Sequence, residues 1–410
     1  MLSHIPTSTE QRVAVRVTPA AERAIRQGHP WLFDQAIRQQ NHEGRPGDLA
    51  VIFDKQRRFL AVGLYDPHSP IRVRILHQGK PATINGDFFR ARLAAAAQVR
   101  APLQKSDTTG YRLIHGENDG MPGLVVDCYG QTLVIKLYTS AWLPHLRDVL
   151  SALEHAAPAE RIVLRLGRAM QEHHLYGLGD GAILFGPELD GPVIFCENGL
   201  HFEVDPVRGQ KTGFFLDQRE NRARVEKLAG GKTVLNVFAY TGGFSLYAAR
   251  GGARAVVSID MSRPALAAAA RNFDLNRAHP SVAAAARKHE LLAEDAFEAL
   301  ARLGRDGRRF DVAIIDPPAF AKKRAKVERA ISAYRRLVRL GLGVLQPGGA
   351  LVMASCSSKV GADEFFTAVH QAAVQAGRPL REIERTGHPL DHPVGFKEGA
   401  YLKCLFAAAL

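Results

Sequence analysis

Residues 233–260 read TVLNVFAYTGGFSLYAARGGARAVVSID. An apolar strand pattern, TVLNVF, runs through AYTGG into a helical stretch, SLYAAR, and a Gly-Gly break leads to a second strand, RAVVSID. Two neighbouring parallel strands need a crossover of about a dozen residues or more, which this spacing supplies. Downstream the alternation continues with a helix to Asn276, LLAED, FEALARLG, DVAIIDPP, a basic helix and ALVMAS. From about residue 211 the pattern predicts an α/β fold, a doubly wound, Rossmann-like parallel sheet.

Upstream the pattern changes. Residues 1–76 carry the short strand patterns RVAVRV, DLAVIFD, FLAVGLYD and IRVRIL, interrupted by AAERAIRQGHPWLFDQAI, whose helix Gly28 and Pro30 stop. This predicts a β-rich module. Residues 77–190 combine the helix FFRARLAAAAQVRAPL, the strand pair GLVVDCYG and QTLVIKLYT, and the helical WLPHLRDVLSALEHA, so a central α+β domain is expected. Gly/Pro-rich stretches flank VIFCENG and LHFEV, which puts the next boundary near 190–210 and a third domain at 191–410.

A chain of 410 residues, 46% hydrophobic and 23% charged, is neither a disulfide-stapled miniprotein nor disordered. Its 54 Lys and Arg against 41 Asp and Glu leave a net charge of +13. That excess favours a polyanion, nucleic acid first and an anionic membrane face second, although general arginine usage produces the same number. Cys128, Cys196, Cys356 and Cys404 stand far apart without metal-ligand spacing, so neither disulfide nor metal is expected. With no apolar run near ~18 residues and no basic-then-apolar leader, a cytoplasmic protein without a membrane partner is expected.

The chemistry-bearing residues fall at predicted strand ends. Gly242 and Gly243 lie where a strand turns into a helix and backbone passes close to a ligand. The spacing is not G-x-G-x-x-G, which argues against a dehydrogenase. Asp260 ends the next strand, twenty-four positions after Asn236, where a carboxylate suits both ribose hydroxyls; a helix cap is the competing role. Asp295 follows the third strand and suits an adenine amine, with Phe297 near the ring, and it too has a cap as its competing role. Asp316-Pro317-Pro318 and Phe320 close DVAIIDPPAF: the prolines remove donors, the carboxylate accepts, and the aromatic offers a stacking face, a set suited to an amino-bearing base. Cys356, in SCSS after ALVMAS, is a nucleophile candidate, because cytosine C5 needs a nucleophile added at C6 before it attacks a methyl donor. Lys322, Lys323, Arg324, Lys326, Arg335, Arg336 and Arg339 form a basic run that reads either as an RNA path or as a solvated helix face, since Ile331, Leu337 and Leu340 form a buried stripe.

Assembled, these motifs resemble the bacterial large-subunit 23S ribosomal RNA cytosine-C5 methyltransferases, which join an N-terminal PUA domain to a class I methyltransferase domain. The resemblance spans nearly the whole chain through GHPWLFDQAI, YRLIHGENDGMPGLVVDCYG, TGFFLDQRENR, VLNVFAYTGGFSLYAARGGA, DPPAF, SCSS and GAYLKCL. It implies S-adenosylmethionine over Asn236 to Gly243, including Phe238, Tyr240 and Gly242, with Asp260 on the ribose, Asp295 on the adenine, and Gln218 and Arg219 lining the cleft. Cys356 would attack the base, Asp316 would assist, and Pro317, Pro318, Phe320, Lys322 and Lys323 would meet a flipped nucleotide of 23S rRNA. The family's lack of a second cysteine beside the Asp-Pro-Pro turn holds here and leaves the C5 proton acceptor unassigned, while Lys397 stands where similar chains often have Pro. A same-fold enzyme acting on guanine N7 or an exocyclic amine, and an inactive RNA-binding assembly factor, are the alternatives. A monomer or homodimer is expected.

Overall fold

The computed structural model describes residues 5, 7, 11–171, 175–321 and 324–410. The chain divides into two compact units, the first spanning residues 1–199, 204–216 and 390–399, the second 200–203, 217–389 and 400–410.

In the first unit, strands Arg12–Val17 (β1), Trp31–Phe33 (β2), Ile37–Gln40 (β3), Leu49–Phe53 (β4), Phe59–Tyr65 (β5) and Ile71–Gln78 (β6) form a sheet in the order β2-β6-β5-β4-β1-β3. Strict alternation makes β1 a strand: Val13, Val15 and Val17 are buried while Arg12, Ala14 and Arg16 alternate with them on the more exposed face. Helix Pro19–Arg26 (α1) starts at Thr18, whose hydroxyl accepts from the Ala21 amide, with Pro19 in the first turn. Strands Gly110–His115 (β7), Leu124–Tyr129 (β8), Thr132–Leu137 (β9), Arg161–Leu166 (β10) and Ile183–Phe185 (β11) form a second sheet, ordered β11-β10-β9-β8-β7, accompanied by helices Gly86–Gln104 (α2) and Leu146–Ala156 (α3). Leu49, Val62, Leu64 and Leu76 of the six-stranded sheet share one core with Phe89, Leu93, Trp142 and Leu153.

The second unit supplies the edge on which the chemistry candidates sit. After strand Val193–Glu197 (β12), which belongs to the first unit, strand Leu200–Val204 (β13) and helix Arg219–Leu228 (α4) come Thr233–Val237 (β14), Ala255–Ile259 (β15), His289–Leu292 (β16), Phe310–Ile315 (β17), Leu345–Ser355 (β18), Leu380–Thr386 (β19) and Lys403–Ala409 (β20). The last seven strands pair as β16-β15-β14-β17-β18-β20-β19. β14 to β18 run parallel; the apolar runs of β14, β15, β17 and the C-terminal half of β18 are buried on both faces, while β16 at the edge is not. Gly243–Arg250 (α5), Arg263–Leu275 (α6), Pro280–Ala286 (α7), Ala296–Arg305 (α8), Val327–Gly343 (α9) and Ala362–Gln375 (α10) are its helices. The expected parallel alternation ends at the C-terminus, where β20 pairs antiparallel with both β18 and β19.

A polar thread crosses the apolar sheet. The Asn236 amide donates to Ser245 Oγ (2.9 Å), Ser245 Oγ meets Ser258 Oγ (2.7 Å), and Ser258 Oγ meets His289 Nε2 (2.8 Å). His289 also stacks on Phe273 at 4.0 Å, and burial draws its imidazole down to about 4. At the N-terminus of α5, Gly242 holds φ +76°, and an added Cβ would lie 2.8 Å from the Ala269 Cβ.

Gly242→Ala, which adds backbone strain and that contact, is expected to lower stability by about 1–3 kcal/mol in urea unfolding. Between pH 4 and 6.5 the unfolded chain binds the His289 proton more readily than the fold does, so stability rises with pH across that window and falls on acidification through it. His289→Gln, which hydrogen-bonds without titrating, is expected to flatten that dependence in urea titrations at pH 4.5, 5.5 and 7.

Candidate active site

The chain leaves β14, goes out to β15 and β16, and returns to β17 on the other side of β14. At such a reversal the loops above neighbouring strands diverge and leave a crevice at their carboxyl ends. The Asp316 amide hydrogen-bonds the Val237 carbonyl (3.4 Å), which keeps the ends of β14 and β17 level.

On the β14 side, Phe238 (φ +61°) and Tyr240 (φ +49°) both sit in the left-handed region, an arrangement that costs side-chain-bearing residues free energy and persists where surrounding contacts impose it. Those contacts are visible. Asp260 Oδ2 accepts from the Tyr240 amide (2.8 Å), the Ala239 amide donates to the Ile259 carbonyl (2.9 Å), and the Asn272 side chain donates to the Thr241 carbonyl (2.8 Å). Asp260 Oδ1 accepts from the Ser262 amide, while Ser262 itself caps α6. Asp260 therefore shapes the loop, and each of its oxygens keeps a second lone pair for a ligand.

Asp295 does cap α8, its Oδ1 taking the amides of Phe297 (2.9 Å) and Glu298 (3.1 Å), which leaves Oδ2 outside the cap. Phe297 packs on the core and carries the Arg336 guanidinium 4.7 Å from its ring centre. Asn236 Oδ1 and Thr241 Oγ1 are buried without a hydrogen-bond partner. An orphaned acceptor at the strand end, an orphaned hydroxyl in the loop, and carboxylates at the next two strand ends suit a ligand with hydroxyl and amine donors. That fits the nucleoside and amino-acid parts of S-adenosylmethionine.

On the β17 side, Gln218 is buried, donates to Asp316 Oδ2 (2.9 Å) and accepts from the Asn221 amide (2.6 Å); Asn221 in turn accepts from the Thr386 hydroxyl (2.6 Å). This line of side chains from β19 through α4 fixes the Asp316 carboxylate. Arg219, fully buried, follows at the start of α4 with its Nε 3.6 Å from Glu220. Pro317 is buried, Pro318 exposed, and Phe320 is half-buried with its ring 5.3 Å from that of Tyr334.

Cys356 follows the last residue of β18. Its half-buried sulfur lies 3.9 Å from the Pro317 carbonyl oxygen, so the thiol and the Asp-Pro-Pro turn meet at one edge. Both neighbours are fixed. Ser355 Oγ meets the Tyr334 hydroxyl at 2.8 Å, and Ser357 Oγ donates to the Ala321 carbonyl at 3.0 Å. Burial pushes the Tyr334 phenol up to about 12, so it stays protonated.

Lys322 and Lys323 lie outside the described residues. In the rest of the basic run α9 buries Ile331, Tyr334, Leu337 and Val338, while Lys326, Arg329, Arg336 and Arg339 are exposed, the solvated helix face of the two readings. Sequence reasoning missed Lys403. This lysine is buried, and its ammonium donates to the carbonyls of Ser357 (2.6 Å), Val360 (2.7 Å) and Tyr401 (3.0 Å). Its signal was a lone charge in the apolar run LKCLFAAA. Among the described residues no His, Cys, Asp and Glu group forms a metal site, and no helix is long and apolar enough to cross a membrane.

Comparison with known proteins gives this geometry a family. Residues 111–407 match the S-adenosylmethionine-dependent methyltransferase family model, and residues 15–78 match a PUA-like domain. The chain is 49% identical over 407 residues to a ribosomal RNA large subunit methyltransferase of Deinococcus radiodurans, covering 98% of both chains. It is 36% identical over 395 residues to the ribosomal RNA large subunit methyltransferase I of Pseudoalteromonas translucida, covering 96% of this chain and 98% of that one. Among solved structures, a methyltransferase complexed with S-adenosylhomocysteine superposes with a TM-score of 0.82 at 24% identity, over 97% of this chain and 99% of that one, which shows a shared fold. The cofactor is S-adenosylmethionine, and the chain belongs to the S-adenosylmethionine-dependent methyltransferase family that includes these ribosomal RNA large-subunit methyltransferases.

Proposed function

We propose that this protein methylates C5 of a cytosine in 23S ribosomal RNA, with Cys356 adding transiently to C6 of the flipped base. The observation that carries the reading is the juxtaposition of a half-exposed thiol with the Asp316-Pro317-Pro318 turn at the carboxyl edge of the sheet. The relatives' names supply the ribosomal RNA substrate.

The Cys356 thiolate attacks C6, and the ring's electron pair moves to C5, which becomes nucleophilic. Asp316, aimed by Gln218, accepts hydrogen bonds from the amino edge of the cytosine, and Phe320 stacks on the ring. Asn236, Asp260 and Asp295 hold the methyl donor through its polar groups, and the loop from Phe238 to Gly242 seats it. When bound, S-adenosylmethionine would supply an electrophilic methyl group, its sulfonium–methyl bond breaking to leave S-adenosylhomocysteine. Once C5 carries the methyl, loss of the C5 proton and departure of the Cys356 sulfur restore the aromatic ring. The PUA-like module and the exposed cations of α9 hold the RNA backbone. The protein works in the cytoplasm, where its RNA resides.

Replacing cytidine by 5-fluorocytidine blocks proton loss, so wild-type protein with such RNA and S-adenosylmethionine is expected to form an adduct that survives SDS. Cys356→Ala is expected to abolish the adduct and to cut methyl transfer by roughly a thousandfold or more while it retains S-adenosylhomocysteine binding. Intact methylation without an adduct would instead assign the reaction to guanine N7 or an exocyclic amine. Raising salt from 50 to 200 mM is expected to weaken RNA binding by at least about tenfold in filter-binding titrations, with little change in S-adenosylhomocysteine affinity.

A further inference from the structure

We infer that Lys403 is a positioning residue that holds the Cys356 turn in place and keeps a cation beneath it, favouring the thiolate. The inference rests on Cys356 being the nucleophile, but the thiol's acidity is measurable whatever the reaction. β20 pairs with β18 so that Lys403 stands opposite Ser355, one residue before the cysteine. The lysine then reaches past the end of β18, and its three donors take the carbonyls of Ser357 and Val360, in the turn that follows Cys356, and of Tyr401, two residues before the lysine itself.

An ammonium bonded only to carbonyls has no carboxylate to neutralise it. No Asp or Glu within salt-bridge distance accompanies Lys403 among the described residues. Its field therefore extends to the nearest group able to carry a negative charge, and in a poorly solvated setting such a charge is felt over several ångströms. Burial draws the Lys403 ammonium down to about 8, and the charge of Cys356 and then of Glu364 pull the other way, so at pH 7 the lysine is mostly protonated.

Asp316 at the end of β17 and Tyr334 on α9 are titratable groups that also face this turn. Asp316 opposes thiolate formation, Tyr334 stays neutral, and Glu364 on α10 acts on the lysine. In this arrangement Lys403 is a cation that offsets the Asp316 carboxylate when Cys356 ionises. A resting carboxylate and a resting thiolate in one site repel, and the buried ammonium lets the two coexist.

The test is the pH dependence of Cys356 alkylation by iodoacetamide in the full-length protein, read by mass spectrometry of the peptide that contains it. Wild-type Cys356 is expected to titrate below the ordinary thiol value of about 8.5. Lys403→Met is expected to raise that midpoint by about one unit and to slow alkylation at pH 7 about tenfold. Tyr334→Phe, which breaks a buried hydrogen bond at the same turn without removing a charge, is expected to leave the midpoint unchanged; equal shifts in both variants would mean that Lys403 acts only as packing and would overturn the inference. If Lys403→Met fails to bind S-adenosylhomocysteine and so has not folded, the wild-type midpoint decides, and a value at or above 8.5 overturns the inference. The 5-fluorocytidine adduct separates the two claims: its absence removes the covalent reaction but leaves the thiol titration intact, whereas an unshifted titration removes the role of Lys403 and leaves the adduct standing.

Discussion

Parallel pairing of β14 with β17 is the constraint on which the site depends. The two strands are distant in the chain, yet their register sets Val237 beside Ile315 and brings Asn236 and Asp316 to the same edge. The excursion through β15 and β16 adds Asp260 and the Asp295 cap to that edge, and β18 adds Cys356 on the far side of β17. A slip of one residue in any of these ladders would turn the polar side chains to the opposite face of the sheet. The buried Val, Ile and Leu runs make such slips costly, so the apolar core is what aligns the chemistry.

The loop after β14 shows how that alignment is held locally. Two side-chain-bearing residues in the left-handed region would not stay there alone. The Asp260 carboxylate and the Asn272 amide lock the backbone around them, so a residue suited to hold a ribose also maintains the loop that surrounds it. A structural duty therefore does not preclude ligand binding at Asp260 or Asp295. The geometry gives each carboxylate a backbone partner and leaves acceptor capacity over.

Much of this was legible in the chain, and the failures have identifiable causes. The βαβ pattern of residues 233–260, the strand end at Asp316 and the helix face of α9 depend on local periodicity, and the structure has them. The lone charge of Lys403 stood out in its apolar run, but its role did not, because that role comes from an antiparallel strand that pairs next to β18 over a long sequence separation. The same holds for the line that aims Asp316, in which Thr386 of β19 and the Gln218–Asn221 pair at the start of α4 come together with Asp316 only after folding. Short-range pattern reports which residues share a face of one element; it carries no record of which elements become neighbours.

The shared core of the first unit has a consequence for how such proteins diversify. Because Leu49, Val62, Leu64 and Leu76 are buried in company with Phe89, Leu93 and Trp142, the six-stranded sheet is not a cassette that evolution or an engineer can transplant unaltered. Cut away, it would present a greasy flank to water and invite self-association. Exchange of the PUA-like module between relatives would then require its neighbouring helices to travel with it.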